Sequence, residues 1–350
     1  MLIISSKDEG ATWSDRASVR NISASVQASG AIRVFFGMVN GIELLPSNHQ
    51  QEQQEQGRGV TVTTAGAASP GHRLVIPGWV LLNKKGVTGK YDVSGSALMY
   101  SDDHGLTWEV GEVLTKGAMG IEDTEPSEST VVELTNGSLL VNIRDSLNVL
   151  DRKEGKERCG CRLIGRSDTR GATWASLWQE PDLISSGVEG SMTATPAAPA
   201  AQRSQSEQQQ QQGQGQTLWF SNPRSKTGRV NGTVYYSNAE GALGSWVEAG
   251  RVPGEIWHAA AGRPIDTFNF GYNMVVPLPQ QQQGQQQGQH QQGQGQMFGV
   301  LYQNGWVGNA GTHYSFYCND PCCGPSSEHP ETKLCGVLFA RFELQGPTTS

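Results

Sequence analysis

One eight-residue phrase occurs three times in the chain: SKDEGATW at 6–13, SDDHGLTW at 101–108 and SDTRGATW at 167–174. Each copy combines turn chemistry with an apolar anchor. Ser and Asp side chains can accept hydrogen bonds from nearby backbone N–H groups, Gly supplies a left-handed position, and Trp provides a large surface to bury. Such a phrase can pin a hairpin, and its recurrence predicts a fold assembled from repeated hairpins. In the third copy Thr169 stands where Asp8 and Asp103 stand, with Asp168 displaced by one position. SNAEGALGSW, from Ser237 to Trp246, matches by position and by its Trp, and either a fourth repeat or a chance likeness accounts for it.

Between these phrases the chain consists of short runs with turn signals close by. They include HRLVIPGWVLL, GSALMYS, STVVELTNGSLLVNIRD, CRLIGRS, TLWFSNP, GTVYYSN, YNMVVPLP, MFGVLYQNG and GVLFARFEL. Periodicity of helical length is absent. Many short strands with a recurring aromatic motif predict an all-β chain that closes on itself or repeats radially, as in a β-propeller.

The apolar fraction, 36%, is low for a chain of 350 residues. Low-complexity Gln/Gly insertions at 48–57, 202–216 and 280–296 explain much of the deficit, and such segments bury too little apolar surface to offset the entropy of ordering. The net charge of -7 and the lack of a Lys/Arg run disfavour nucleic acid as a partner. No apolar stretch reaches the roughly 18 residues of a membrane-spanning helix, so the sequence predicts a soluble chain with no transmembrane segment. Of six cysteines, Cys318, Cys322, Cys323 and Cys335 cluster with His329, but without paired CxxC spacing. The expectation is no metal and no cofactor, with a local disulfide or free thiols instead.

The S-x-D-x-G-x-T-W phrase is similar to the Asp box of the exo-α-sialidase (neuraminidase) family, and the resemblance extends over nearly the whole ordered length. It implies a single domain across 1–350, a six-bladed β-propeller with an incomplete first blade. It also implies release of terminal α-linked sialic acid from a sialylated glycan. The other class of function open to this sequence is a non-catalytic propeller that binds sialosides or serves as a scaffold.

Three segments carry the more specific resemblance. EPSESTVVELTNGSLLVNIRD (125–145) reads as a hairpin around Asn136-Gly137. A two-residue turn sets Leu134 against Leu139 and puts Glu128 and Arg144 on opposite faces, whereas a three-residue loop with Gly137 bulged sets them directly opposite each other. Without the family pattern they read as a weak exposed pair. By resemblance Glu128 is a general base, and Arg144 belongs to an arginine triad that binds the substrate carboxylate. In SNPRSKTGRVNGTVYYSN (221–238) Arg229 matches a second triad arginine. Asn231 lies two residues on, and Arg224 reads as a solvated loop residue. SSGVEGSMTATP (185–196) resembles a family turn with Glu189 in place of Gln, which makes Glu189 and Asn231 secondary pocket candidates. In FNFGYNMVVPLP (268–279) Tyr272 matches the family nucleophile, and Leu301-Tyr302-Gln303 matches its hairpin partner with Gln for Glu.

These residue types suit the chemistry. A sialic acid carries a carboxylate on its anomeric carbon, so a carboxylate nucleophile approaches a like charge, whereas a neutral Tyr does not. Tyrosine, with its ordinary pKa near 10, needs a base such as Glu128 to become nucleophilic. Clustered guanidiniums bind a carboxylate bidentately. Family members carry a first triad Arg and an acidic acid/base residue ahead of the first Asp box. Neither is found here between Met1 and SKDEGATW, which implies an N-terminally truncated sequence or a degenerate relative. Asp8, as part of the turn, does not supply the acid.

Overall fold

A computed structural model describes residues 2–3, 6, 8, 11–15, 17–18, 31–36, 40–44, 72–82, 93–148, 158–196, 215–252, 257–258, 263–264, 273–277, 296–304 and 336–344. Among them, regular structure is strand except for a 3-10 turn at Ala118–Gly120 and a helical start at 147–148. Among the described residues, the hairpin from Pro126 to Asp145 and the pairings in the other sheets are antiparallel. The all-β expectation holds. The strands read from hydrophobic alternation lie where expected, for example Arg73–Leu82, Val93–Ser101 and Gly232–Ser237.

The chain divides into two compact units, Met1–Ser146 with Ile164–Trp178, and Leu147–Leu163 with Gln179–Ser350. In the first, Arg73–Leu82 runs between Ala31–Phe36 on one side and Val93–Ser101 on the other. Phe35 stacks on Trp79, with ring centroids 5.0 Å apart, and the Trp79 indole N–H donates to Ser94 Oγ. Val80, Ala97, Met99 and Trp108 are fully buried, packed against Val34, Leu74 and Val110. In the second unit, Ser191–Pro196, Gln216–Pro223, Gly232–Ser237 and Val247–Arg251 pair in chain order. Asn273–Pro277, Gln296–Asn304 and Gly336–Leu344 form a three-stranded sheet.

The repeated phrases are turns of one design. In the second copy Asp103 Oδ1 accepts the Thr107 N–H at 2.8 Å and Oδ2 accepts the Thr107 hydroxyl at 2.5 Å. Ser101 Oγ donates to Asp103 Oδ1 and accepts the Gly105 N–H at 2.8 Å. The Trp108 indole donates to the Gly105 carbonyl. His104 and Gly105 both adopt positive φ, which closes the turn. Asp8 repeats the carboxylate contacts with Thr12 and Ser6.

The third copy keeps this geometry without the carboxylate. Thr169 Oγ1 accepts the Thr173 N–H at 2.8 Å, and Glu112 accepts the backbone N–H of Trp174. The fourth stretch closes a turn of similar geometry. Ser237 Oγ accepts the Ala239 and Gly241 N–H groups, and Glu240 and Gly241 have positive φ. Ala239 cannot act as Asp does; instead the buried carboxylate of Glu180 reaches across to accept the Gly244 N–H.

The Gln-rich segments lie outside the described residues, except that Gln216 and Gln296 open strands and pair with Pro196 and Leu344. The last insertion joins the paired strands Asn273–Pro277 and Gln296–Asn304 at the end opposite Asn273. Cys159 and Cys161 form a disulfide. Cys318, Cys322, Cys323, Cys335 and His329 lie outside the described residues, and among those described no His/Cys/Asp/Glu group could hold a metal ion. No helix among them is long and apolar enough to cross a membrane.

Candidate active site

The hairpin of Pro126–Glu133 and Leu139–Asp145 takes the three-residue-loop register. Leu139 pairs with Glu133, Val141 with Val131 and Ile143 with Ser129. The loop is closed by hydrogen bonds from the Leu134 N–H to the Ser138 carbonyl and from the Gly137 N–H to the Leu134 carbonyl, with Gly137 at φ +82°. Near the open end the register shifts, because Asp145 pairs with Pro126. Ser127 and Glu128 thus both face Arg144. Ser127 Oγ donates to the Arg144 carbonyl, and Arg144 Nη1 donates to Glu128 Oε2 at 2.5 Å.

The pair is not the exposed surface pair of the alternative reading. The Glu128 side chain is 2% exposed and that of Arg144 is 18% exposed. At the same end, Asp145 Oδ1 accepts the Glu125 N–H and the Ser146 N–H donates to the Glu125 carbonyl, which ties down the strand ends.

In the second unit the topology gathers other predicted residues at one end of a sheet. Ser191 pairs with Ser221 and Pro223 with Gly232. The turn before Ser191, which carries Glu189, therefore shares its end with the 224–231 loop, which carries Arg229 and Asn231. Glu189 is fully buried, Arg229 is half-buried and Asn231 is exposed with φ +58°. The Asn231 carbonyl closes the loop by accepting the Arg224 N–H. Arg224 is exposed as expected, though its guanidinium pairs with Glu248.

Tyr272 lies outside the described residues. Asn273, directly after it, is buried at this same sheet end. The Ser221 hydroxyl donates to its Oδ1, and the Val275 N–H donates to Ser191 Oγ. Tyr302 pairs with Asn273 through the backbone, with Gln303 next along the strand.

Sequence reasoning missed Arg162. Among the described residues it is the largest side chain with no exposure, and its Nη1 donates to the Val188 carbonyl at 2.5 Å. Its only sequence signal is the alternation that puts it on the face of Ile164 in CRLIGRS.

No family model matches the chain. It is 31% identical over 144 residues to a sialidase of Micromonospora viridifaciens, a match covering 41% of this chain and 18% of that protein. The intramolecular trans-sialidase from Ruminococcus gnavus, solved with oseltamivir carboxylate, shares its fold at a TM-score of 0.52 and 17% identity. The chain resembles the sialidases.

The Ruminococcus likeness covers 99% of this chain and 51% of the solved one. A leech intramolecular trans-sialidase, solved with 2,7-anhydro-Neu5Ac, is also similar, with TM-score 0.49, 18% identity, and coverage of 98% and 36%. The chain thus spans 18% of the length of the curated relative and about half of the Ruminococcus chain. Its fold class is the all-β, sialidase-propeller class.

Proposed function

We propose that this protein is an exo-α-sialidase, which releases terminal α-linked sialic acid from oligosaccharides, glycoproteins or gangliosides with retention of configuration. The observation that carries the reading is the Glu128–Arg144 pair, a carboxylate and a guanidinium kept together almost out of water at the open end of one hairpin. Burying two charges costs several kcal/mol each before their attraction repays it, so such a pair is weak evidence for a stability role. A pair held at a strand end is better suited to present chemistry.

In this mechanism Arg144 and Arg229 bind the carboxylate of a sialylated glycan. Tyr272 attacks the anomeric carbon, and Glu128 takes the phenolic proton. The bond from the anomeric carbon to the aglycone oxygen breaks, that oxygen leaves as an alcohol after taking a proton from solvent, and a covalent Tyr272 intermediate remains. Water then attacks its anomeric carbon and gives up a proton to solvent, and the released Tyr272 oxygen takes back the proton held by Glu128. Glu189 and Asn231 line the pocket. The sheets serve as blades of a six-bladed propeller, and the S-x-D-x-G-x-T-W turns are its Asp boxes.

The test is turnover of a fluorogenic sialoside by the full-length protein, together with binding of an unsaturated sialic acid analogue whose planar anomeric carbon mimics the oxocarbenium ion. Glu128→Gln should lower kcat about 100-fold or more, and Tyr272→Phe should abolish steady turnover. Full activity in Tyr272→Phe overturns the mechanism. Glycan binding with no turnover in the wild type replaces the enzyme with a sialoside-binding propeller.

A further inference from the structure

The Cys159–Cys161 disulfide closes a ring around a single residue, Gly160. A disulfide stabilises a fold chiefly through the length of chain it constrains when unfolded, so so small a ring is a weak staple. The two cysteines also stand in different surroundings. Cys161 is 2% exposed, at the start of the Cys161–Ser167 strand, whereas Cys159 is partly exposed ahead of it. A small thiol can therefore reach Cys159 more readily than Cys161.

The neighbouring charges favour thiolate chemistry. Arg158 and Arg162 flank the pair in sequence. The exposed Lys226 lies over its middle, since Lys226 Cγ, Cδ and Cε would stand 3.0, 3.1 and 3.3 Å from a Cβ on Gly160. Cations beside a cysteine stabilise its thiolate, and a stabilised thiolate leaves faster when a disulfide is attacked.

The ring is also a junction between two segments of its own unit. The Gly160 carbonyl accepts the Ser185 N–H at 2.8 Å, and Arg162 Nη1 donates to the Val188 carbonyl at 2.5 Å, so both hold the buried Ser185–Gly190 turn. Lys226 belongs to the 224–231 loop, which the Arg224 N–H closes by donating to the Asn231 carbonyl. Gly160 has φ +62°. Glycine populates both signs of φ with similar ease, so it is the ring and these contacts that keep the Gly160 carbonyl aimed at Ser185.

We propose that Cys159–Cys161 is a thiol–disulfide exchange site, opened by a small dithiol and closed by a small disulfide, and that its opening loosens the Ser185–Gly190 turn and the 224–231 loop. A thiolate of the dithiol attacks Cys159 Sγ, the bond between the two cysteines breaks, and Cys161 leaves as a thiolate that takes a proton from solvent. The second thiolate of the reductant then attacks the reductant's own sulfur in the mixed disulfide, and Cys159 leaves and is protonated in turn. Two electrons pass from the dithiol, which becomes a disulfide, to the cysteine pair. The switch is independent of the sialidase reading, since no step involves a sugar.

The experiment equilibrates the full-length protein, without denaturant, in dithiothreitol and then in oxidised glutathione. Alkylation with peptide mapping follows each cysteine, and amide hydrogen exchange follows the two segments. The pair is expected to open in the folded protein and to close again, with Cys159 alkylated ahead of Cys161 after reduction. Exchange over Ser185–Gly190 and 224–231 should quicken about fivefold on reduction, the equivalent of one lost hydrogen bond. Cys159→Ser/Cys161→Ser should show the fast exchange in either buffer. Cys161→Ser alone makes that comparison if the double variant does not fold.

A pair that stays oxidised in dithiothreitol until urea unfolds the protein, or that stays reduced in oxidised glutathione, overturns the proposal. Alkylation of Cys161 ahead of Cys159 overturns it too, as does unchanged exchange on reduction. A response to reductant that persists in the variant belongs to other cysteines and has the same consequence.

Discussion

Arg144 donates to Glu128 across a hairpin whose register shifts at that point, so that Ser127 and Glu128 face a single residue of the neighbouring strand. Without the shift, regular pleating would continue to the strand ends. With it, an arginine that is partly open to solvent meets a glutamate that is almost fully buried.

Removing one partner should cost more than removing both. Arg144→Ala leaves the Glu128 carboxylate buried without its cation and is expected to destabilise the fold by about 3 kcal/mol. Urea unfolding of Arg144→Ala, Glu128→Gln and the double variant checks this. The double variant should lie closer to wild type than the sum of the two singles.

The tryptophans of the repeated turns should differ sharply despite their shared motif. Trp108 is 3% exposed and forms a buried cluster with Met99, against which Ile76 and Val110 pack, so Trp108→Ala should cost about 3–5 kcal/mol. Trp13 is 59% exposed, and Trp13→Ala should stay within about 0.5 kcal/mol of wild type. Thermal unfolding of the two variants tests the contrast.

The turn carboxylates should give the protein an acid-sensitive edge. Hydrogen bonds from the Thr12 hydroxyl and amide, then from Ser6, lower the Asp8 pKa from 3.8 to about 2. At Asp103 burial pushes the pKa up, but hydrogen bonds from Thr107, Ser101 and Leu106 outweigh it, and the net shift is downward. A depressed folded value means that this stabilisation is complete above the unfolded value and is lost as pH falls through the folded one. Stability should therefore decline between about pH 4 and pH 2, and the Asp8→Asn/Asp103→Asn variant should show a flatter decline, as measured by denaturant midpoints across that range.

Gly111 has no room for a methyl group. A Cβ there would run into the backbone carbonyl of Gly171, with the carbonyls of Ala172 and Leu98 also close. Backbone cannot swing aside as a side-chain tip can, so Gly111→Ala should cost about 3 kcal/mol. Gly137→Ala is the control, since no atom lies within 4 Å and only its positive φ opposes the change, a cost of about 1 kcal/mol.

What the sequence determined by itself was local. The repeated turns are legible because their hydrogen bonds run between residues two to four positions apart, so Ser101, Asp103 and Thr107 carry the geometry within one phrase. The strands are legible because alternation between Arg73 and Leu344 has no rival helical period. Even the support that Glu180 lends to the fourth turn is invisible at this level, because it comes from 64 positions away. Only the tertiary structure decided which hairpin register brings Glu128 to Arg144, since both registers satisfy the apolar pattern and a one-residue shift separates them. It alone placed Glu189 beside the loop of Arg229, and it alone turned Arg162 from one arginine in an alternating strand into a buried clamp. Burial depends on what packs from elsewhere in the chain, and no short window of sequence contains that information.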